Sequence, residues 1–185
     1  MSFEILSVFG VLLLVILYVI VTYNRLVNKR TMAEESFSGI DVQLKRRYDL
    51  IPNLVETVKG YAKHESALLE KVTEWRARAQ GAKNIDDQLK AESGLTATLA
   101  NVFAVSENYP ELRANTNFIE LQSELAEIEE QLQLSRRYYN GTVRDLNMII
   151  DMFPSNFVAR QFGFEKKVFF EVENEEERVP TKVSF

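Results

Sequence analysis

The chain has 185 residues and a mass of 21.4 kDa, room for one ordinary domain with an appendage, and its 46% hydrophobic and 26% charged content is globular rather than disordered. Its 22 Lys and Arg against 27 Asp and Glu give a net charge of −5, a poor balance for a nucleic-acid partner, because neutralising phosphate needs a basic surface. With no cysteine and a single histidine, His64, the chain has no disulfide, thiolate metal site or cysteine nucleophile, and little imidazole chemistry.

Residues 5–23, ILSVFGVLLLVILYVIVTY, carry no charge. As a helix they extend roughly 28 Å, close to the ~30 Å hydrocarbon core of a bilayer. Tyr18 and Tyr23 lie near the end of the run, where aromatic belts form. A cleaved signal peptide would need a basic start and a small-x-small cleavage site, and this chain has Met-Ser-Phe-Glu and no Ala-x-Ala after the run. Residues 1–23 therefore read as a transmembrane anchor, with membrane lipid as a partner. Arg25, Lys29 and Arg30 follow the run while Glu4 precedes it, so the positive-inside rule puts the large C-terminal part in the cytoplasm.

From Asn24 to Asp151 the spacing is helical. Ala33, Phe37, Ile40, Leu44, Tyr48 and Ile51 form a first stripe, and no strong breaker separates it from the anchor. Leu54, Val58, Tyr61, Leu68, Val72, Trp75 and Ala79 continue a second, closed by a turn at Gln80–Asn84 in which Gly81 is suited to positive φ. Within this region Pro52 lacks an N–H and its ring opposes the carbonyl of Tyr48, which predicts a kink or a helix restart capped by Asp49. A bend in a long helix is the simpler reading of this pair than a docking elbow.

A third helix runs from about Ile85 to Asn108 and stops at Asn108-Tyr109-Pro110. The fourth is the most regular: Phe118, Leu121, Leu125, Ile128, Leu132, Ser135, Tyr139, Thr142, Leu146, Ile150 and Phe153 form a coiled-coil-like seam that Pro154 closes. Ser155–Phe162 fits one more short helix before Gly163. The fold class is all-α: an N-terminal transmembrane helix, a long antiparallel helical bundle over 24–163, and an irregular aromatic and acidic tail over 164–185.

Three strings in this chain are long and unusual: Arg47-Tyr48-Asp49-Leu50-Ile51-Pro52-Asn53-Leu54-Val55 with Thr57–Tyr61 and His64-Glu65, then Asn108–Leu112, then Arg137–Asn140 leading to Phe153-Pro154-Ser155. With Gly163-Phe164 and Phe169-Phe170-Glu171 they make the chain resemble the bacterial LemA family over nearly its whole length. The resemblance implies a single-pass protein of the bacterial inner membrane with a helical bundle and no established enzymatic activity. It also implies a link to membrane organisation, since some relatives in magnetotactic bacteria are connected with formation of the magnetosome membrane.

Candidate chemistry is sparse. His64-Glu65 lacks the second histidine of a metalloprotease helix, and Tyr61 stands where a Glu-x-x-His iron site needs a carboxylate. Glu120, Glu124, Glu127 and Glu130 share one side of the fourth helix and read as a solvated face or as partners for the Arg76/Arg78 region. Lys45-Arg46-Arg47 and Arg136-Arg137 are short basic clusters suited to anionic lipid or another subunit, with ordinary solvated helix surface the preferred reading for Lys45 and Arg136. The glycines form neither a GxGxxG nor a P-loop, so no catalytic, cofactor or metal site is assigned; Ser–Lys chemistry alone stays open. Phe162, Phe164, Phe169 and Phe170 would make a costly exposed patch, to be covered by the chain's own bundle or by a neighbouring subunit. In the second case Phe169, Phe170 and Phe185 are the contacts of a homo-oligomer.

Two functions follow. The first is a non-enzymatic membrane-anchored scaffold that self-associates and organises membrane or membrane proteins. The second is an adaptor or regulator that presents the bundle to a protein partner, such as a protease or an envelope-stress component.

Overall fold

The uncharged run and the first apolar stripe have no breaker between them, and in the computed structural model, which describes residues 3–170, they form one helix, α1 (Phe3–Tyr61). Residues 6–21 of α1 are almost entirely exposed; from Thr22 onward one stripe turns inward, and Leu26, Ala33, Ile40, Leu44, Ile51 and Leu54 are buried. The helices that follow are α2 (Ser66–Gln80), α3 (Ile85–Ser106), α4 (Pro110–Arg113), α5 (Thr116–Asp151) and α6 (Ser155–Gln161), with no strand among the described residues. The all-α expectation holds.

Four local expectations are corrected. The second stripe is not one helix: α1 ends at Tyr61, a 3-10 turn spans Lys63–Glu65, and α2 begins at Ser66. The stripe itself carries the signal, because the polar run Lys63-His64-Glu65-Ser66 skips the apolar position due between Tyr61 and Leu68. Gly81 caps α2 at φ −91°, an ordinary right-handed conformation; positive φ occurs at Gly163, at +70°. Phe153 leaves the seam and is 78% exposed, since α5 stops at Asp151 and the helical spacing no longer carries it inward. Finally, α1 runs unbroken through Pro52, so Asp49 caps no new helix and is an exposed residue within it.

The chain divides into two compact units. One comprises, among the described residues, 3–42 and 132–169. Here the two long helices run antiparallel, with Lys29 opposite Asp145 and Ser36 opposite Thr142. The Ser36 and Thr142 hydroxyls meet at 2.9 Å in the buried seam, and Phe37 lies edge-on to Tyr139 at 5.5 Å. Ser36 also has the Ala33 carbonyl within donating reach and Thr142 the Tyr139 carbonyl, so the two small hydroxyls are satisfied inside the seam and let the backbones approach.

The other unit comprises, among the described residues, 43–131 and Phe170. Helices α2 and α3 pack along each other, with Trp75 so close over Gly94 that a Cβ there would lie 2.6 Å from the indole. Asn84 starts α3 by accepting the Asp87 amide at 2.8 Å, Pro110 takes the first position of α4, and Asn115 accepts the Phe118 amide at the start of α5.

Candidate functional site

Arg47 belongs to a basic triplet, yet it is only 4% exposed, while its neighbours Lys45 and Arg46 are solvated. Its guanidinium meets Glu92 Oε2 at 3.1 Å, donates to Thr96 Oγ1 at 2.8 Å, and pairs with Glu129 Oε2 at 3.2 Å. Tyr48 donates its hydroxyl to the other oxygen of Glu92, a carboxylate that is itself 2% exposed. Both Glu92 oxygens are thus occupied by donors from α1, and the cluster is closed to solvent on the Glu92 side. It holds α1, α3 and α5 in register through an enclosed carboxylate with a donor from α1 on each oxygen. Sequence reasoning missed this cluster, although a signal existed: Glu92 falls on the stripe Leu89, Leu95, Leu99, where an apolar residue is due.

The same unit explains most of the unusual strings. Arg76 Nε donates at 2.7 Å to the carbonyl of Tyr48, the group that Pro52 leaves without its helical donor. Tyr61 Oη accepts from Asn115 at 2.9 Å, and Tyr109 donates to Glu65 at 3.1 Å. These bonds tie the chain reversal after α1 to the turns on either side of α4. Alongside, Val55, Ala62, Leu69 and Ala77 floor an open groove of about 760 Å³ between the end of α1 and α2, rimmed by Lys59, Lys63, Glu70 and Glu74.

In the unit that contains the apolar run, two of the three flanking cations are engaged. Lys29 pairs with Asp145 at 2.8 Å, and Arg30 lies over the ring of Phe164 at 5.3 Å. The Lys29 hydrogen bond, partly opposed by burial, holds the Asp145 carboxyl below the ordinary value of 3.8. Arg25 is exposed and lines a cavity of about 390 Å³ together with Lys29, Asp145 and Ser155.

The strap after α6 is clamped by two α5 side chains. Asn147 accepts the Lys167 amide at 3.0 Å and donates to the Lys167 carbonyl at 2.9 Å, while Tyr139 donates to Val168 O at 2.9 Å. Burial raises the Tyr139 pKa, which keeps its hydroxyl a donor. Phe164 and Phe170 are buried, Phe162 rests half-exposed on Tyr23 with ring centres 4.9 Å apart, and Phe169 is 36% exposed. Of the three aromatics assigned to a neighbouring subunit, Phe170 is therefore covered by its own chain, Phe169 is partly accessible, and Phe185, like the Glu171–Glu177 acids, lies outside the described residues.

His64 is exposed in the 3-10 turn, and Glu120, Glu124, Glu127 and Glu130 are all solvated. Arg78 pairs with Glu74 one turn away rather than with those glutamates. Among the described residues no three His, Asp or Glu side chains converge as a metal site.

Residues 36–185 match the model of the LemA family. Protein LemA of Metamycoplasma hominis is 24% identical over 165 residues, which cover 87% of this chain and 74% of that protein. The magnetosome protein MamQ 2 of Paramagnetospirillum magneticum is 23% identical over 175 residues, and MamQ of Magnetospirillum gryphiswaldense is 21% identical over 174. Each MamQ match covers 80% of this chain and 64% of the relative, so the chain spans just under two thirds of their length.

Proposed function

The chain belongs to the LemA family, and on that premise we propose that it is a non-enzymatic, membrane-anchored scaffold that self-associates and organises membrane or membrane proteins. The observation that carries the reading is α1: residues 6–21 present exposed apolar side chains, and the same unbroken helix continues into the buried stripe. An apolar surface of that length is costly in water and stable in lipid. A helix that crosses the bilayer and continues into the bundle confines subunits to one plane and one orientation. Modest lateral affinity is then raised by a high effective concentration. The name of the MamQ relatives, magnetosome proteins, agrees with a role at a membrane-bounded structure. Arg25, Lys29 and Arg30 support a bacterial inner-membrane location with the bundle on the cytoplasmic side.

The test is the particle mass of the full-length protein in mild detergent and in lipid nanodiscs across concentration. A large, concentration-dependent assembly is expected; a monomer under every condition would remove the scaffold. Reporter fusions at the C-terminus test the orientation, and extraction by alkaline washing would remove the anchor.

A second reading, the adaptor, is favoured by the groove between the end of α1 and α2, whose apolar floor and mixed-charge rim suit a partner helix. It predicts a small particle that grows only when a partner protein is added.

A further inference from the structure

The corner joining α5 to α6 carries large apolar side chains that nothing among the described residues covers. Phe153 is 78% exposed and Phe157 65%, and Met148 and Met152 are each at least half exposed. They form a cluster rather than scattered residues. Phe153 and Phe157 are edge-on at 6.0 Å, and Met148, Met152 and Phe153 line one cavity. A single exposed aromatic means little, but a contiguous patch of this size marks a contact.

What covers the patch follows from where it sits. The cavity lined by Met148, Met152 and Phe153 is closed on its other side by Tyr18, Val21 and Thr22, the last two turns of the uncharged run in α1. Phe162, just after α6, is edge-on to Tyr23. The corner thus stands level with the end of the run, and its apolar surface continues that of α1. Asp151 and Ser155 in the corner already have partners within the chain. Asp151 pairs with Lys166 at 2.7 Å, and the Ser155 hydroxyl donates to the Ile149 carbonyl at 2.6 Å. Arg25, Arg144 and Arg160 are exposed around it, suited to lipid phosphates at the edge of an inserted patch.

We propose that the α5–α6 corner is a second membrane contact, in which Met148, Met152, Phe153 and Phe157 enter the boundary between lipid headgroups and acyl chains beside the α1 span. The inference rests on the reading of residues 5–23 as a transmembrane anchor. It adds that the unit containing the span meets the bilayer at two places, the span and a foot, which fixes the rotation of that unit about the membrane part of α1.

The chain has no cysteine, so one introduced thiol carries a unique nitroxide label. Full-length Leu13→Cys, Phe157→Cys, Met152→Cys and Leu134→Cys proteins are placed in vesicles of phosphatidylcholine and phosphatidylglycerol. Collision of each label with oxygen and with a water-soluble nickel chelate is then compared, with helicity checked by circular dichroism. All four positions are exposed, so the labels have room. Labels at 13, 152 and 157 should favour oxygen, the latter two at about 5–10 Å below the phosphates. The label at 134 should favour the chelate, because it lies about 21 Å up α5 from Met148. A label at 13 in lipid with those at 152 and 157 in water would overturn the foot and leave the anchor standing. A label at 13 in water would overturn the anchor itself, and the foot with it.

Discussion

Arg76 donates from Nε to the carbonyl oxygen of Tyr48 at 2.7 Å, and that oxygen is the one to which residue 52 would donate were it not proline. A helix that should have broken at Pro52 is sealed by a cation from α2, and the seal locks α2 against α1. Replacing Arg76 with Leu removes the donor from a part-buried carbonyl and is expected to destabilise the fold by about 1–3 kcal/mol. Pro52→Ala restores the missing N–H, so the Arg76→Leu substitution should cost much less in that background. Urea melts of the four proteins in the cycle check the coupling. Equal costs of Arg76→Leu with proline and with alanine at 52 would show that the two groups are not linked.

The Arg47 cluster makes a sharper demand, because Arg47, Tyr48 and Glu92 are buried. Removing the cation takes from Glu92, 2% exposed, the guanidinium that pairs with it. Arg47→Met should therefore cost roughly 3–5 kcal/mol, the range for breaking a buried pair from one side. Glu92→Gln retains an acceptor for the Tyr48 hydroxyl and leaves Arg47 its contact with Glu129, so it should cost less. Thermal unfolding of both variants tests the order; a neutral Arg47→Met would mean that the cluster contributes nothing to holding α1, α3 and α5 together.

These two relationships mark what was legible in the sequence. Periodicity located the helices, because burial follows the stripes: Ala33, Ile40, Leu44, Leu125, Ile128, Leu132 and Leu146 are all inside. It says nothing of which stripe faces which, so the partner of the Tyr48 carbonyl that Pro52 orphans, 28 residues along the chain, is out of its reach. A basic triplet looks the same whether its third member is solvated or buried; only the acid on the α3 stripe hinted that Arg47 turns inward. Gly60-Tyr61, His64-Glu65 and Tyr109-Pro110 stood out as a family resemblance before their work was visible, which is to pin a chain reversal through Tyr61–Asn115 and Glu65–Tyr109 bonds.

Acid should weaken the link between α1 and α5 through Asp145. Hydrogen bonding from Lys29 lowers its pKa below the ordinary carboxylate value of 3.8. A depressed folded pKa gives a contribution that is complete above the unfolded value and is lost as pH falls through the folded one. Its size is modest, because the Asp145 side chain is 40% exposed and solvent screens the pair. Asp145→Asn should accordingly leave a shallower fall in melting temperature between about pH 5 and pH 2 than the parent shows, with little change near pH 7. Identical acid limbs for the two proteins would assign the acid sensitivity to other carboxylates.

The strap after α6 depends on one side chain more than its length suggests. Asn147 both accepts from and donates to the backbone of Lys167, reproducing with an amide the two bonds that a neighbouring strand would supply. No other neutral side chain except Gln offers a donor and an acceptor in that geometry, and Gln is one methylene too long for the same approach. Asn147→Asp keeps the acceptor and loses the donor; Asn147→Ala loses both. The Lys167 amide is thus expected to exchange with deuterium fastest in Asn147→Ala, more slowly in Asn147→Asp and slowest in the parent. The adjoining bond from Tyr139 to Val168 O holds the next residue and should protect it least in the alanine variant, where the strap is free to lift. Helix amides in the middle of α5 serve as the internal control, since Asn147 is only half-buried and its loss opens no cavity in the core. Unchanged Lys167 exchange in both variants, with α5 intact, would mean that Phe164 and the Lys167–Glu34 pair at 3.0 Å hold the strap without the amide clamp.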